Sequence, residues 1–173
     1  MEGLEGKTAL ITGGAGGIGL AICEALLESG GRVFLHDLPT SDGVSKARSL
    51  CQRFGDGRAI FVAGDLNDLP ALARESAKLA AELDGFDFLV NNAAVDPVAP
   101  IEAYSIEDFL AVQTINAHAA FALCQALAPL HEAQERRRHR QRDERRSVGR
   151  LARESPLRHV EGSPARPHPL PGS

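Results

Sequence analysis

Strand-like and helix-like patterns alternate four times in the first 130 residues of this chain, and then the alternation stops. The predicted strands are Lys7–Ile11, Arg32–Leu35 running on to Asp37, Ala59–Ala63 ending near Asp65, and Phe88–Val90. Helical periods fill the intervals at Ile18–Leu27, Gly43–Phe54 and Asp68–Leu83, and a long helical stretch covers Ile106–Leu130. In the first helix Ile18, Ala21, Ile22, Ala25 and Leu26 share one face. In the second, Val44, Ala47 and Leu50 do. Strands separated by helices and joined by short connections must run parallel, because each helix carries the chain back to the starting edge. The right-handed crossover then gives a doubly wound half-sheet with helices on both faces, an α/β fold in three layers, α/β/α.

The break near residue 130 is also a break in composition. Residues 1–130 hold 8 Lys and Arg against 17 Asp and Glu. Residues 131–173 hold 11 Arg, no Lys and 6 Asp and Glu, with no Phe, Tyr, Trp, Ile or Met. Such a segment has little apolar area with which to offset its ordering entropy, so 131–173 is expected to be a low-order tail behind a domain at 1–130. Several function classes look remote. Cys23, Cys51 and Cys124 show neither metal-ligand spacing nor a disulfide pattern, and Cys23 and Cys124 fall in apolar helical patterns that suggest buried thiols. No metal site is expected. A leader and an apolar run long enough to span a membrane are not found, so the expected location is the cytoplasm, with no membrane partner. The tail has charge for weak polyanion binding, but it lacks stacking aromatics and any recognised nucleic-acid module.

The segment Thr12-Gly13-Gly14-Ala15-Gly16-Gly17-Ile18-Gly19 joins the first strand to the first helix. Gly13 permits a tight turn. Gly17 and Gly19 allow close approach of a cofactor and of helix to strand. A pyrophosphate fits over the helix N-terminus, where free N–H groups and the dipole favour negative charge. Asp37 ends the second strand, 18 residues beyond Gly19. A carboxylate there accepts from a ribose diol and repels a 2′-phosphate, which favours NAD over NADP. Asp65 can accept from the adenine amine. Asn91 and Asn92 can secure neighbouring backbone or contact the ribose. His36, beside Asp37, is expected to be a solvated turn histidine.

Over residues 1–130 these motifs resemble the short-chain dehydrogenase/reductase family. The matching pieces are TGGAGGIG at 12–19, Asp37, the Asp65-Leu66 pair, NNAA at 91–94 (where NNAG is commoner) and Asn116. The resemblance implies a Rossmann-type fold that binds a nicotinamide cofactor. Thr12, Gly13, Gly17, Ile18 and Gly19 would cradle the pyrophosphate, Asp37 read the ribose, and Asp65 and Leu66 contact adenine. Asn92 would support the central strand and Asn116 a proton relay. The chemistry implied is hydride transfer between nicotinamide and an alcohol or carbonyl carbon, with Tyr as general acid/base, Lys lowering its pKa and Ser orienting the substrate oxygen. The stretch 104–130 resembles the start of a subunit-packing helix, which implies a homo-oligomer.

Of the implied catalytic set only Asn116 is found. The sole tyrosine, Tyr104, precedes it and is followed four residues on by Asp108 rather than Lys, and no lysine follows Lys78. The expected product is an incomplete sheet and an inactive chain. A shifted reading frame accounts for the tail. When the last two bases of each codon are joined to the first of the next, Arg136–Arg138 can encode Gly-Gly-Ala and His139–Glu144 can encode Ile-Val-Asn-Val-Thr-Ser. Leu157–Glu161 can encode Tyr-Ala-Thr-Ser-Lys. The hidden Ser and Tyr then lie 13 residues apart, as is typical of the family. The alternative reading is a non-catalytic NAD-binding or polyanion-binding module.

Overall fold

The structure, a computed structural model, describes residues 3–154, with side chains described through Arg137. Four strands form one parallel sheet in the order β3-β2-β1-β4, where β1 is Thr8–Thr12, β2 Arg32–Asp37, β3 Ala59–Ala63 and β4 Phe88–Val90. Helices α1 (Gly17–Glu28), α2 (Gly43–Phe54) and α3 (Leu69–Glu82) make the crossovers. After β4 come a short 3-10 turn at Ile101–Ala103, α4 (Ile106–Gln113), a π-turn at Thr114–His118 and α5 (Ala119–Glu154). This is the three-layer arrangement that the alternation predicts.

Strand alternation divides the core into two layers. Ala9, Ile11, Val33 and Leu35 face one way and pack on Cys23 and Leu27 of α1 and on Ala47 and Leu50 of α2. Leu10 and Phe34 face the other way, against Leu72 and Ala80 of α3, Phe86, and Ala119, Leu123 and Leu127 of α5. Phe34 meets Phe86 edge to face with centroids 5.3 Å apart. Burying a side chain of this size contributes about 2–3 kcal/mol. At the foot of the sheet Asp87 ties β4 to β1. Its carboxylate accepts from Lys7 Nζ at 2.9 Å, from Thr8 N at 2.9 Å and from Thr8 Oγ1 at 3.3 Å.

Two sequence expectations change. Cys124 is exposed, because the buried stripe of α5 runs through 119, 123 and 127 and position 124 lies beside it. Cys23 is fully buried as expected, and burial pushes its thiol up to about 12. The helical run Ile106–Arg137 is, by length and composition alone, apolar enough to cross a membrane, contrary to the sequence reading. Yet its Ala119, Leu123 and Leu127 are buried against the sheet.

The chain divides into two units, Met1–Glu135 and Arg136–Ser173. In the first, His131 Nδ1 lies 2.9 Å from the Phe86 carbonyl and Gln134 is buried. The backbone is helical through Glu154. Residues 132–147 contain neither Gly nor Pro and are rich in Arg, Glu and Gln, which are good helix formers. The rest of the tail, including the stretch read as a shifted Tyr-x-x-x-Lys, lies outside the described residues.

Candidate functional site

The carboxyl ends of the strands open into one cleft of about 480 Å³. Its walls are the glycine turn, the end of β2, the β3–α3 turn, the loop after β4, and Ile115 from the π-turn. Sheet order explains the location. The chain leaves β1 toward α1 on one face and leaves β4 toward α5 on the other, so the two connections diverge and leave a crevice above adjacent strands.

The glycine turn is held by close packing. Gly13 has φ +63°, and a Cβ there would come within 3.0 Å of the Ala93 Cα. A Cβ on Gly19 would sit 2.1 Å from the Gly13 carbonyl oxygen. Gly17 differs, since a Cβ there meets no atom within 4 Å and the space belongs to the cleft. Helix α1 starts beside it, and its N-cap, Gly16, makes no side-chain cap bond. The first-turn N–H groups are thus left for an anion.

Thr12 lies beneath this turn, 2 % exposed. Its Oγ1 accepts from the N–H groups of Asn92 and Ala93, both at 3.1 Å. Asn92 Nδ2 donates to the carbonyls of Thr12 at 2.9 Å and Gly13 at 3.3 Å. Asn92 therefore fastens the loop after β4 to the glycine turn, with its donors directed at backbone. Asn91 Nδ2 reaches Cys124 Sγ at 3.8 Å.

The two aspartates are also engaged. Asp37 accepts from Ala15 N at 3.0 Å through one oxygen and from Leu38 N at 2.8 Å through the other. Asp65 takes both of its bonds from Asn67 on Oδ1, at 2.9 and 3.2 Å. Leu66 lines the cleft and also packs on the core.

Gly13, Gly17, Ile18, Gly19, Asp37, Asp65, Leu66 and Asn92 are thus brought to one cleft, with Thr12 under it. Asn116 stands apart, on the π-turn. Its amide exchanges two hydrogen bonds with the Val95 backbone, each 2.9 Å. Tyr104 lies between the 3-10 turn and α4 and does not line the cleft.

Two contributors were missed. His36 is 3 % exposed and lines the cleft, and is not a solvated turn residue. The alternation of β2, which puts it on the same face as buried Phe34, is the signal that reveals it. Lys46 of α2 donates to the Ala15 carbonyl and pairs with Asp42 at 2.9 Å, joining α2 to the glycine turn. Nothing in its local sequence points to that contact.

Comparison with known proteins places this geometry. Residues 7–138 match the family described as short chain dehydrogenase. The chain is 36% identical over 126 residues to D-threitol dehydrogenase of Mycolicibacterium smegmatis, covering 72% of this chain and 47% of that protein. It is 37% identical over 125 residues to sorbitol dehydrogenase of Cereibacter sphaeroides, with coverage of 72% and 47%. The chain thus spans about half the length of the curated relatives it matches. Among solved structures, L-sorbose reductase from Gluconobacter frateurii, complexed with NADPH and L-sorbose, superposes with a TM-score of 0.71 at 31% identity. It covers 78% of this chain and 51% of that one. The Pseudomonas aeruginosa RhlG/NADP complex gives 0.67 at 33% identity, with 74% and 49%. These relatives hold NADP(H), which overturns the preference for NAD read from Asp37. In the structure each Asp37 oxygen accepts one backbone N–H, so part of the carboxylate's charge is spent organising the turn and its repulsion of a 2′-phosphate is weaker than that of a free carboxylate.

Proposed function

The chain belongs to the short-chain dehydrogenase family, and from that premise we propose that it binds NADP(H) in the cleft above its sheet and derives from an oxidoreductase interconverting an alcohol and a carbonyl. The observation that carries this reading is the open space at Gly17 over a helix N-terminus without a side-chain cap. Pyrophosphate is the group such a site accommodates. When bound, the nicotinamide supplies hydride exchange with the substrate carbon.

The chain's own residues do the rest. The N–H groups at the start of α1 hold the phosphates. Thr12 and Asn92 fix the turn so that these groups are aimed before the ligand arrives. Asp37 sets the Ala15 and Leu38 backbones at the adenosine end. Asp65, whose bonds from Asn67 both fall on Oδ1, offers its second oxygen to the adenine amine. Asn116 positions the loop at Val95 and is the one member of the family's proton relay in this chain. Ile106, Phe109, Leu110 and Phe121 leave exposed apolar surface along 104–130, which supports a homo-oligomer contact there.

Turnover is assigned to the other reading frame. The Ser and the Tyr-x-x-x-Lys are read in the shifted frame of residues 131–173, and the chain as it stands turns over no substrate. Support comes from the order and spacing of the hidden motifs and from the placement of Tyr104 away from the cleft. The test is to express both frames and follow NADPH oxidation with ketoses, beginning with L-sorbose. Thermal protection of both products by NADPH, with turnover only in the shifted frame, is the expected result. Turnover by the present chain defeats the inactive reading. A shifted-frame protein that binds NADPH but reduces no carbonyl in a broad screen defeats the frame assignment.

A further inference from the structure

His36 is a buried titratable group that the binding mode above leaves unused. It is the penultimate residue of β2 and lines the cleft together with Gly64 and Asp65. Its backbone is committed, since the carbonyl accepts from Gly14 N at 3.1 Å. Its side chain is not, because Nδ1 is buried and has no hydrogen-bond partner among the described residues. A leucine at this place in the strand would avoid the cost of that orphan atom. Burial lowers the pKa of the imidazole from its usual 6.5, against the opposite pull of Asp37 and Asp65. A neutral ring presents one donor and one acceptor, a combination that suits the mixed hydrogen-bonding edge of a purine.

Gly64 makes the placement possible. A Cβ there would stand 2.4 Å from His36 Nε2, so any side chain would displace the ring. Gly64 is itself held in place, its N–H donating to the Asp37 carbonyl at 2.9 Å. The strand ends thus form a fixed seat that holds the imidazole beside Gly64 at the cleft.

We propose that His36, seated by Gly64, is a specificity-determining residue for the adenosine half of the dinucleotide, and that its imidazole hydrogen-bonds the purine when the cleft is filled. This rests on the cofactor reading above and adds a purine contact from the strand floor to that of Asp65.

The test uses the full 173-residue chain and two probes, NADPH and adenosine 2′,5′-bisphosphate, which carries the adenosine half alone. His36→Leu is expected to raise Kd for both probes by about tenfold, the scale of one hydrogen bond to a ligand. His36→Asn, which keeps a polar atom near the ring position, should stay within about threefold of the wild type on the same scale. The leucine variant should melt no lower than the wild type, because it removes an unpartnered buried atom. His36→Met serves as a second apolar variant if leucine does not fold. Gly64→Ala should weaken both probes as well. If the wild type binds both probes and the apolar variants bind them equally well, His36 is a packing residue and the proposal is overturned. A loss confined to NADPH also overturns it, since the contact would then lie outside the adenosine half. A folded wild type that binds neither probe fails at the earlier step, and the cofactor reading falls with it.

Discussion

Asn116 and Val95 clasp each other through two hydrogen bonds, Nδ2 to the Val95 carbonyl and the Val95 N–H to Oδ1, each 2.9 Å. The clasp joins the π-turn to the loop leaving β4, which forms one wall of the cleft. The π-turn at Thr114–His118 widens the helix by about one residue at this point, a feature frequent at functional sites. Asn116→Leu should therefore release the loop. Because the pair is exposed, the stability cost should be small, about 1 kcal/mol. Amide exchange at Val95 should quicken while the strands stay protected. Unchanged protection at Val95 would contradict the clasp.

Gly17 and Gly19 should separate binding from folding. Gly19→Ala drives a Cβ into the Gly13 carbonyl at 2.1 Å and should destabilise the chain by about 1–3 kcal/mol. Gly17→Ala meets no protein atom. It should leave the melting temperature unchanged or slightly raised while weakening NADPH binding by a factor of ten or more, about 1.4 kcal/mol. Thermal melts and titrations of the two variants check this, and a Gly17→Ala chain that binds normally would remove the pyrophosphate from this turn.

Asp87 should matter for folding alone. Its side chain is 3% exposed and serves Lys7, Thr8 N and Thr8 Oγ1 at the foot of the sheet, opposite the cleft. Asp87→Ala leaves the half-buried Thr8 N–H without this acceptor and should cost about 1–3 kcal/mol. Urea unfolding measures it, and a loss below about 0.5 kcal/mol, the level of an ordinary surface change, would count against the lock.

His36 should make stability fall on acidification. Its pKa is lowered from 6.5 by burial. Below pH 6.5 the unfolded chain takes up a proton that the folded chain resists, so the unfolded state binds more protons and stability rises with pH. The contribution is complete above 6.5 and is lost as the pH falls from there through the depressed folded value. The stability difference between wild type and His36→Leu should therefore widen between neutral and acid pH, to the wild type's disadvantage. A pH-independent difference would contradict the buried neutral ring.

The cysteines should react in order of exposure. Cys124 is exposed, whereas Cys23 is buried with its thiol pushed up to about 12. Alkylation under native conditions should label Cys124 first and Cys23 only on unfolding. Mass mapping that finds Cys23 labelled in the native chain would place α1 off the sheet.

Much of this was legible from local pattern. Alternation in β1 and β2 sorts Ala9, Ile11, Val33 and Leu35 from Leu10 and Phe34, and the motif spacing places Gly13, Asp37 and Asp65 at adjoining strand ends. What escaped depends on neighbours distant in sequence. Asp37 looks like a free carboxylate until Ala15 and Leu38 are seen to donate to its two oxygens. Cys124 sits in an apolar run but one position off the buried stripe. The π-turn at Thr114–His118 leaves no mark in an otherwise continuous helical period. The NADP(H) relatives corrected a rule drawn from one acidic residue, because charge at a single position does not fix how its oxygens are used.

The most direct measurement is a calorimetric titration of the full chain with NADPH, accompanied by a thermal melt. Saturable binding of one NADPH per chain, lost in Gly17→Ala without loss of the folding transition, is the result this account predicts. A chain that unfolds cooperatively yet shows no heat of binding and no thermal protection at millimolar NADPH would contradict it.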